Sequence, residues 1–561
     1  MRDPNRLLIV LLMVCTAVVW SATWHLSSTY DEPQHLQMGL QILRTGDFSR
    51  FDNSKMPVTV FNALPWIISG AENNRGSWFL ARMPQVIWLL GTTVLVFVWV
   101  RRHYTAWAAL GAATLVALDP NLMAHAGMVT TDAPCMFFMV VSCFTWARAL
   151  EKPTRRNHII AGVVFGLAQA AKFTAVFLVP IHLLIAAATC FRIRTWRPLR
   201  HVWAAILAAL LSLNLAYGFQ GTGTNPAEIQ WRSEMFSPIS ESTLPLPVPR
   251  AWIEGLDWVK SDDDMGHGNI WLDESMSPMG RKSYFFQALA WKLPIPLLLL
   301  GLVGLLRGTQ KRDLQAAWVI PPVFLLAWFS LAFNFQLGVR YLLPIVPFLA
   351  MWTARLSPRW LAAGAAWTVF SGLSWWPWLL SYQNETLLDR TEAWKRLADS
   401  NLDWGQGQHI ATQWLEENPG GQVDPEVAAP GRVLLSANVL TGVLGDPARH
   451  ACIREHLPPE EHLAYAHYPM NHAPESFEAC YPRVETSGSQ TGSLPAGTHL
   501  VILRFRGEAT LSIGDWSESG SSNGESLIGA VVHSQAPFDA HVTHEGAEVH
   551  LYLDGRKLEL P

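Results

Sequence analysis

Two adjacent carboxylates open the polar segment Tyr30-Asp31-Glu32-Pro33-Gln34-His35, directly after an uncharged hydrophobic run. Carboxylates beside a hydrocarbon boundary are costly unless a ligand or proton transfer needs them, so they are candidates for taking a proton or binding substrate. If Pro33 opens a helix, Asp31 and His35 fall four residues apart on one face, a spacing that could share a metal or a proton. The same residues also suit a solvated loop and helix start, with Asp as N-cap and Pro in the first turn. A second polar turn, His125-Ala126-Gly127-Met128-Val129-Thr130-Thr131-Asp132, separates two hydrophobic runs. It reads either as a binding turn or as a plain hairpin whose Asp132 caps the next helix. Lys172 stands alone in GLAQAAKFTAVFLVP, where an ammonium needs an anion or a water-filled cavity, or else snorkels to the interface. Arg82, Lys292 and Arg340 lie at the ends of hydrophobic runs in LARMP, AWKLP and GVRYLLPIVP. Together with Lys172 they could surround a phosphate, Arg by bidentate contact and Lys as a point charge. Tyr341 adjoins Arg340 and joins the same set of substrate-binding candidates. Each cation taken singly also suits an interfacial anchor.

The elements that carry these residues follow from composition. Of 561 residues, 50% are hydrophobic and 15% charged, against roughly 25% charged in an ordinary soluble domain. A net charge of −4 offers no basic footprint for nucleic acid. The charge is uneven: residues 1–380 hold 30 basic and 20 acidic residues, and residues 381–561 hold 11 and 25. Two domains are therefore expected, 1–381 in the membrane and 382–561 soluble. Spans are expected near 7–24, 83–100, 105–124, 133–150, 158–171, 173–191, 201–219, 285–306, 314–333, 341–354 and 360–381, about eleven in all. Helix is the element that fits, because lipid cannot satisfy open backbone groups and the runs lack barrel-like alternation. With the amino terminus in the cytoplasm, the short connections on that side gather 17 basic and three acidic residues, as the positive-inside rule requires. The candidate residues and everything after 381 then lie outside. Treating MPVTVFNALPWIISGA, residues 56–71, as a span would invert the later loops, so it reads as an interfacial or re-entrant segment.

Beyond Tyr382 the hydrophobic runs shorten. TEAWKRLADS and GQGQHIATQWLEEN look helical; RVLLSANVL, THLVILRFR, ESLIGAVVHS, DAHVTH and EVHLYLDGRKLEL look like strands, with Asp554-Gly555 as a hairpin signal. A small α+β domain or β-sandwich is expected. Four cysteines (Cys15, Cys135, Cys143 and Cys190) fall inside spans as small buried residues. The remaining pair, Cys452 and Cys480, suits one disulfide in an oxidising compartment, contributing roughly 3.5 kcal/mol in the chain-entropy model. The 27 Trp residues fit aromatic belts at the interfaces, although those of LSWWPWLL and LDWGQG could also stack on sugar rings. H-E-x-x-H and C-x-x-C do not occur.

The acidic pair after the first span, the His-to-VTTDAP turn, GLAQAAKFTAVFLVP, GVRYLLPIVP and DSNLDWGQGQ at 399–408 together resemble the bacterial branch of the protein mannosyltransferase-like glycosyltransferases. These belong to the GT-C superfamily and glycosyltransferase family 39. The resemblance covers most of residues 1–410 and leaves 411–561 outside it. It implies a multi-pass enzyme of the bacterial inner membrane that moves a sugar from a polyprenyl-phosphate donor to an acceptor on the outer face, with inversion. It also implies that the acidic pair, Asp31 and Glu32 here, is catalytic. Residues 220–284 are too few for the carbohydrate-binding insert of the eukaryotic enzymes, so lipid, glycan and protein acceptors all stay open. On chemical grounds Asp31 is the expected base and Lys172, Arg340 and then Arg82 the expected phosphate ligands. Glu32, His35, His125 and Asp132 are left to orient substrate or hold a divalent ion, which the cations could make unnecessary. A transporter or flippase of a lipid-linked or anionic solute is the alternative. Against it stand the lack of an internal repeat and the gathering of polar residues on one face.

Overall fold

The computed structural model describes residues 3–49, 56–70, 72–266, 268–310, 315–473, 484–485, 490–494, 497–514, 516–534 and 537–553. The fold is mainly helical, with a sheet-containing carboxyl-terminal region. Among the described residues, five helical stretches are long and apolar enough to cross a bilayer: Pro4–Trp24, Arg75–Arg101, Asp132–Glu151, Phe173–Ile193 and Arg197–Ala216. The chain is thus a multi-pass membrane protein. The first of these begins where Asp3 accepts a hydrogen bond from the Asn5 amide and Pro4 occupies the first turn, which matches the preference of Asp and Pro for helix starts.

Other expected spans are shorter or bent. The stretch expected at 285–306 is two helices, Tyr284–Lys292 and Ile295–Gln310, meeting at 111°. Pro294 lies at their junction; without an amide N–H, and with its ring against the preceding turn, it ends the first helix. The helices Ala106–Ala117 and Ala316–Ala332 are apolar but short. Residues 57–68 also form a short apolar helix, with Phe61, Leu64 and Ile68 exposed and Ala63 and Trp66 buried. Small residues let helices approach closely in an apolar environment. A Cβ on Gly162 would lie 2.1 Å from the Ala205 carbonyl oxygen, and one on Gly166 2.1 Å from the Ser212 hydroxyl. The helices Arg155–Gln169 and Val202–Ala216 therefore pack backbone to backbone.

The chain divides into two compact units. The first holds 1–270, 277–388 and Trp404–Gln406; the second holds 271–276, 389–403 and 407–561. In the second unit, Gly497–Ile513 lies between Trp516–Ser534 and Phe538–Leu553, all antiparallel, with Val484–Glu485 and Gln490–Leu494 also paired to Phe538–Leu553. Its alternating residues Val501, Leu503 and Phe505 join one core cluster, while Leu500 and Ile502 on the other face pack with Val427, Cys452 and Leu457. That two-sided burial explains the unbroken apolar run LVIL, since only a strand covered on both faces lacks alternation. DAHVTH and EVHLYL, expected as separate strands, are one strand with an irregularity between Glu545 and Glu548. RVLLSANVL is strand only to Ser436, whose side chain then caps the helix Ala437–Thr441 at the Val439 amide. TEAWKRLADS is helical only in short pieces, Arg390–Glu392, Ala393–Arg396 and the start of Asp399–Asn401. Gly520-Ser521-Ser522-Asn523-Gly524 fits the letters G-x-S-x-G but runs within Trp516–Ser534, so it lacks the strand-to-helix turn of a nucleophile elbow. Cys452 is disulfide-bonded; its expected partner Cys480 and the Asp554-Gly555 turn lie outside the described residues.

Candidate active site

Asp31 and Glu32 are consecutive, yet the start of the helix Glu32–Thr45 sends them to different surroundings. Asp31 occupies the N-cap position but makes no side-chain cap hydrogen bond. Its Oδ2 instead accepts from Arg340 Nη1 at 3.0 Å, and the carboxylate is 33% exposed. The alternative in which Asp31 simply caps the helix through its side chain is not what the structure shows. Glu32 has a fully buried side chain. Its Oε1 accepts from Arg82 Nε and the Val129 amide, both at 2.8 Å, and its Oε2 from Arg82 Nη2 at 2.5 Å and the Thr29 amide at 2.8 Å. Four donors fill a carboxylate's accepting capacity.

Arg82 is correspondingly committed. Besides Glu32, its Nη1 donates to the carbonyls of Thr23 and Leu26, and its Nη2 to that of Ser27. All five guanidinium N–H groups are thus used. Arg82 thereby ties the segment after the first span to the turn at Val129. Lys292 is likewise buried, donating to the Leu380 carbonyl at 2.7 Å.

The other cations remain near the partly exposed acid. Lys172 sits in extended backbone between the helix Arg155–Gln169 and the 3₁₀ turn Phe173–Phe177. It pairs with Asp132, the first residue of the helix Asp132–Glu151, and its side chain keeps 17% exposure. Asp132 thus balances a cation rather than capping its helix through its side chain. Tyr341 lies between the two cations, with Lys172 Nζ 4.9 Å and the Arg340 guanidinium carbon 6.0 Å from its ring centre. His125 is buried with Nδ1 3.7 Å from Asp132, beyond hydrogen-bond reach. His35 is buried in the first turn of its helix, its amide donating to the Asp31 carbonyl. Among the described residues no group of three or more His, Cys, Asp or Glu side chains could hold a metal.

The structure therefore brings together Asp31, Arg340, Tyr341, Lys172, Asp132 and His125, and sets Glu32, Arg82 and Lys292 in the packed interior. It adds Trp404, whose ring lies 4.5 Å from the Arg340 guanidinium and 6.0 Å from the His125 ring. The LDWGQG motif signalled Trp404, but as a sugar platform. In the structure it is 3% exposed and its ring faces a guanidinium. The Glu32–Arg82 pair had no local signal, because its partners are 50 residues apart.

No curated protein sequence matches this chain. Among solved structures, ArnT from Cupriavidus metallidurans bound to undecaprenyl phosphate is 12% identical, with 83% of this chain and 98% of that one covered and a TM-score of 0.45. The Archaeoglobus fulgidus oligosaccharyltransferase complex with Zn and sulfate is 11% identical, with 98% and 97% covered and the same TM-score of 0.45. Residues 63–217, which include Arg82, His125, Asp132 and Lys172, match the family model described as dolichyl-phosphate-mannose-protein mannosyltransferase.

Proposed function

We propose that this chain is an integral-membrane glycosyltransferase that moves a sugar from a polyprenyl-phosphate donor to a hydroxyl acceptor on the outer face of the bacterial inner membrane, with inversion. The observation that carries this reading is the partly exposed Asp31–Arg340 pair, with the Lys172–Asp132 pair joined to it through Tyr341. The family match over residues 63–217 supplies the reaction class, and the dolichyl-phosphate sugar in that family's description is a donor of the same chemical kind.

Asp31 takes the proton of the acceptor hydroxyl as that oxygen attacks the anomeric carbon. The bond from that carbon to the phosphate oxygen breaks, and the lipid phosphate leaves with the electron pair. Arg340 and Lys172 balance the charge that grows on it. Each cation is already oriented by a carboxylate, so little reorganisation is needed when phosphate arrives. Glu32 and Arg82 act by position, fixing the loop that presents Asp31.

The test uses the full-length protein in detergent, with undecaprenyl phosphate binding read separately from consumption of an undecaprenyl-phosphate-linked hexose. Membranes of the source bacterium supply the acceptor. Asp31→Asn is expected to bind the lipid phosphate as wild type does while turnover falls by roughly 10²–10⁴-fold. Lys172→Met is expected to weaken binding as well, since phosphate is present before and during reaction. Undiminished turnover in Asp31→Asn would move the base elsewhere, Asp132 being next.

A further inference from the structure

Trp404 is buried and takes no part in the chemistry above, yet its surroundings are specific. Trp404–Gln406 belong to the first compact unit, although the chain on either side belongs to the second. Three contacts hold this short segment against the loop that presents Asp31. The Tyr30 amide donates to the Trp404 carbonyl at 3.0 Å, and the Ser27 amide to the Gln406 carbonyl at 2.9 Å. Gly405, at φ +84°, leaves room for the Tyr30 ring, which a Cβ would approach to 3.3 Å. The turn is closed by the Gln406 side chain, whose Oε1 accepts from the Trp404 amide at 2.6 Å and whose Nε2 donates to the Ser381 hydroxyl. The backbone thus fixes the indole, and the indole lies against Arg340.

We propose that Trp404 is a positioning residue that clamps Arg340 through its π face, holding the guanidinium ready for Asp31 and for the phosphate of a lipid-linked donor. The donor half rests on the function proposed above; the clamp itself does not. A guanidinium free to rotate would lose orientation each time Asp31 or phosphate let go. A ring stacked on its plane removes that freedom without using any of its N–H groups. Arg340 Nε is separately held by the Leu337 carbonyl at 3.0 Å, so ring and carbonyl together set the plane and direction of the fork.

Two measurements on full-length protein in detergent decide it. In the first, thermal unfolding without lipid is followed for Trp404→Leu, Arg340→Gln and the double variant. The losses are expected to be non-additive, because Trp404→Leu removes a contact that Arg340→Gln has already removed. Strict additivity would overturn the clamp. In the second, undecaprenyl phosphate is the probe. Trp404→Leu is expected to weaken binding about 30-fold, the scale of a desolvated cation–π contact, while Trp404→Phe, which keeps a ring face, stays within about threefold of wild type. Equal losses in Leu and Phe would show that the ring acts by bulk alone and overturn the proposal. Wild type that binds no lipid phosphate would remove the donor reading while the unfolding cycle still decides the clamp.

Discussion

Replacing Glu32 by glutamine separates the two adjacent carboxylates. Glu32 accepts four hydrogen bonds, two on each oxygen. A glutamine has one oxygen and one NH₂ group, so either orientation turns a donor toward two donors and forfeits two of the four bonds. It also leaves the Arg82 guanidinium, 1% exposed, without its counter-charge. Breaking a buried ion pair from one side costs about 3–5 kcal/mol. The low end of about 3 kcal/mol applies here, because the Thr23, Leu26 and Ser27 carbonyls still hold the guanidinium. Asp31→Asn removes a pair that is 33% exposed on its acid and 11% on its arginine; Arg340 keeps the Leu337 carbonyl, and the loss is about 1 kcal/mol, the upper end for a solvent-reachable pair. Thermal unfolding of matched detergent-purified variants should therefore show a large loss for Glu32→Gln and a clearly smaller one for Asp31→Asn. The double variant Glu32→Leu/Arg82→Leu should regain part of the loss, since neither charge is then left alone. Wild-type stability in Glu32→Gln, or equal losses in the two single variants, would refute the assignment of Glu32 to structure and Asp31 to chemistry.

Two further outcomes are expected. Burial, with Arg454 and Arg449 adding to it, pushes the His450 imidazole of the second unit down to about 4. The unfolded chain takes that proton near 6.5 and the folded chain only near 4, so this contribution is intact above about pH 6.5 and is lost as pH falls toward 4. At 1.36 kcal/mol per unit it amounts to about 3 kcal/mol, and pH-dependent unfolding of His450→Leu should lack that slope. Reporter fusions at Arg155 and Gly420 should mark opposite sides of the membrane; the same side for both would overturn the charge-sorted orientation.

Helix positions were legible because a membrane span is a matter of local composition. The run at 132–151 needs no partner to be recognised, and the positive excess on one side is a property of short loops. The first half of strand Gly497–Ile513 was equally plain in THLVILRFR, while its continuation over 507–513 went unread. The bend at Pro294 was less so, since proline ends some helices and only kinks others, and the packing around it decides. In the second unit, the turn from strand to helix at Ser436 went unread because a Ser cap inside an apolar run looks like one more strand residue.

From sequence alone came the polar residues on one expected face, the isolated Lys172 and the acidic pair after the first span. Composition and spacing carry that much, because an ionisable group in an apolar run is conspicuous wherever it ends up. Which acid is exposed, which arginine is already spent and what Trp404 lies against were decided by tertiary structure. Asp31 finds Arg340 across 309 residues and Glu32 finds Arg82 across 50. Two neighbours at a helix start point in different directions, and the charge each one meets is set by elements that only long-range packing brings within reach.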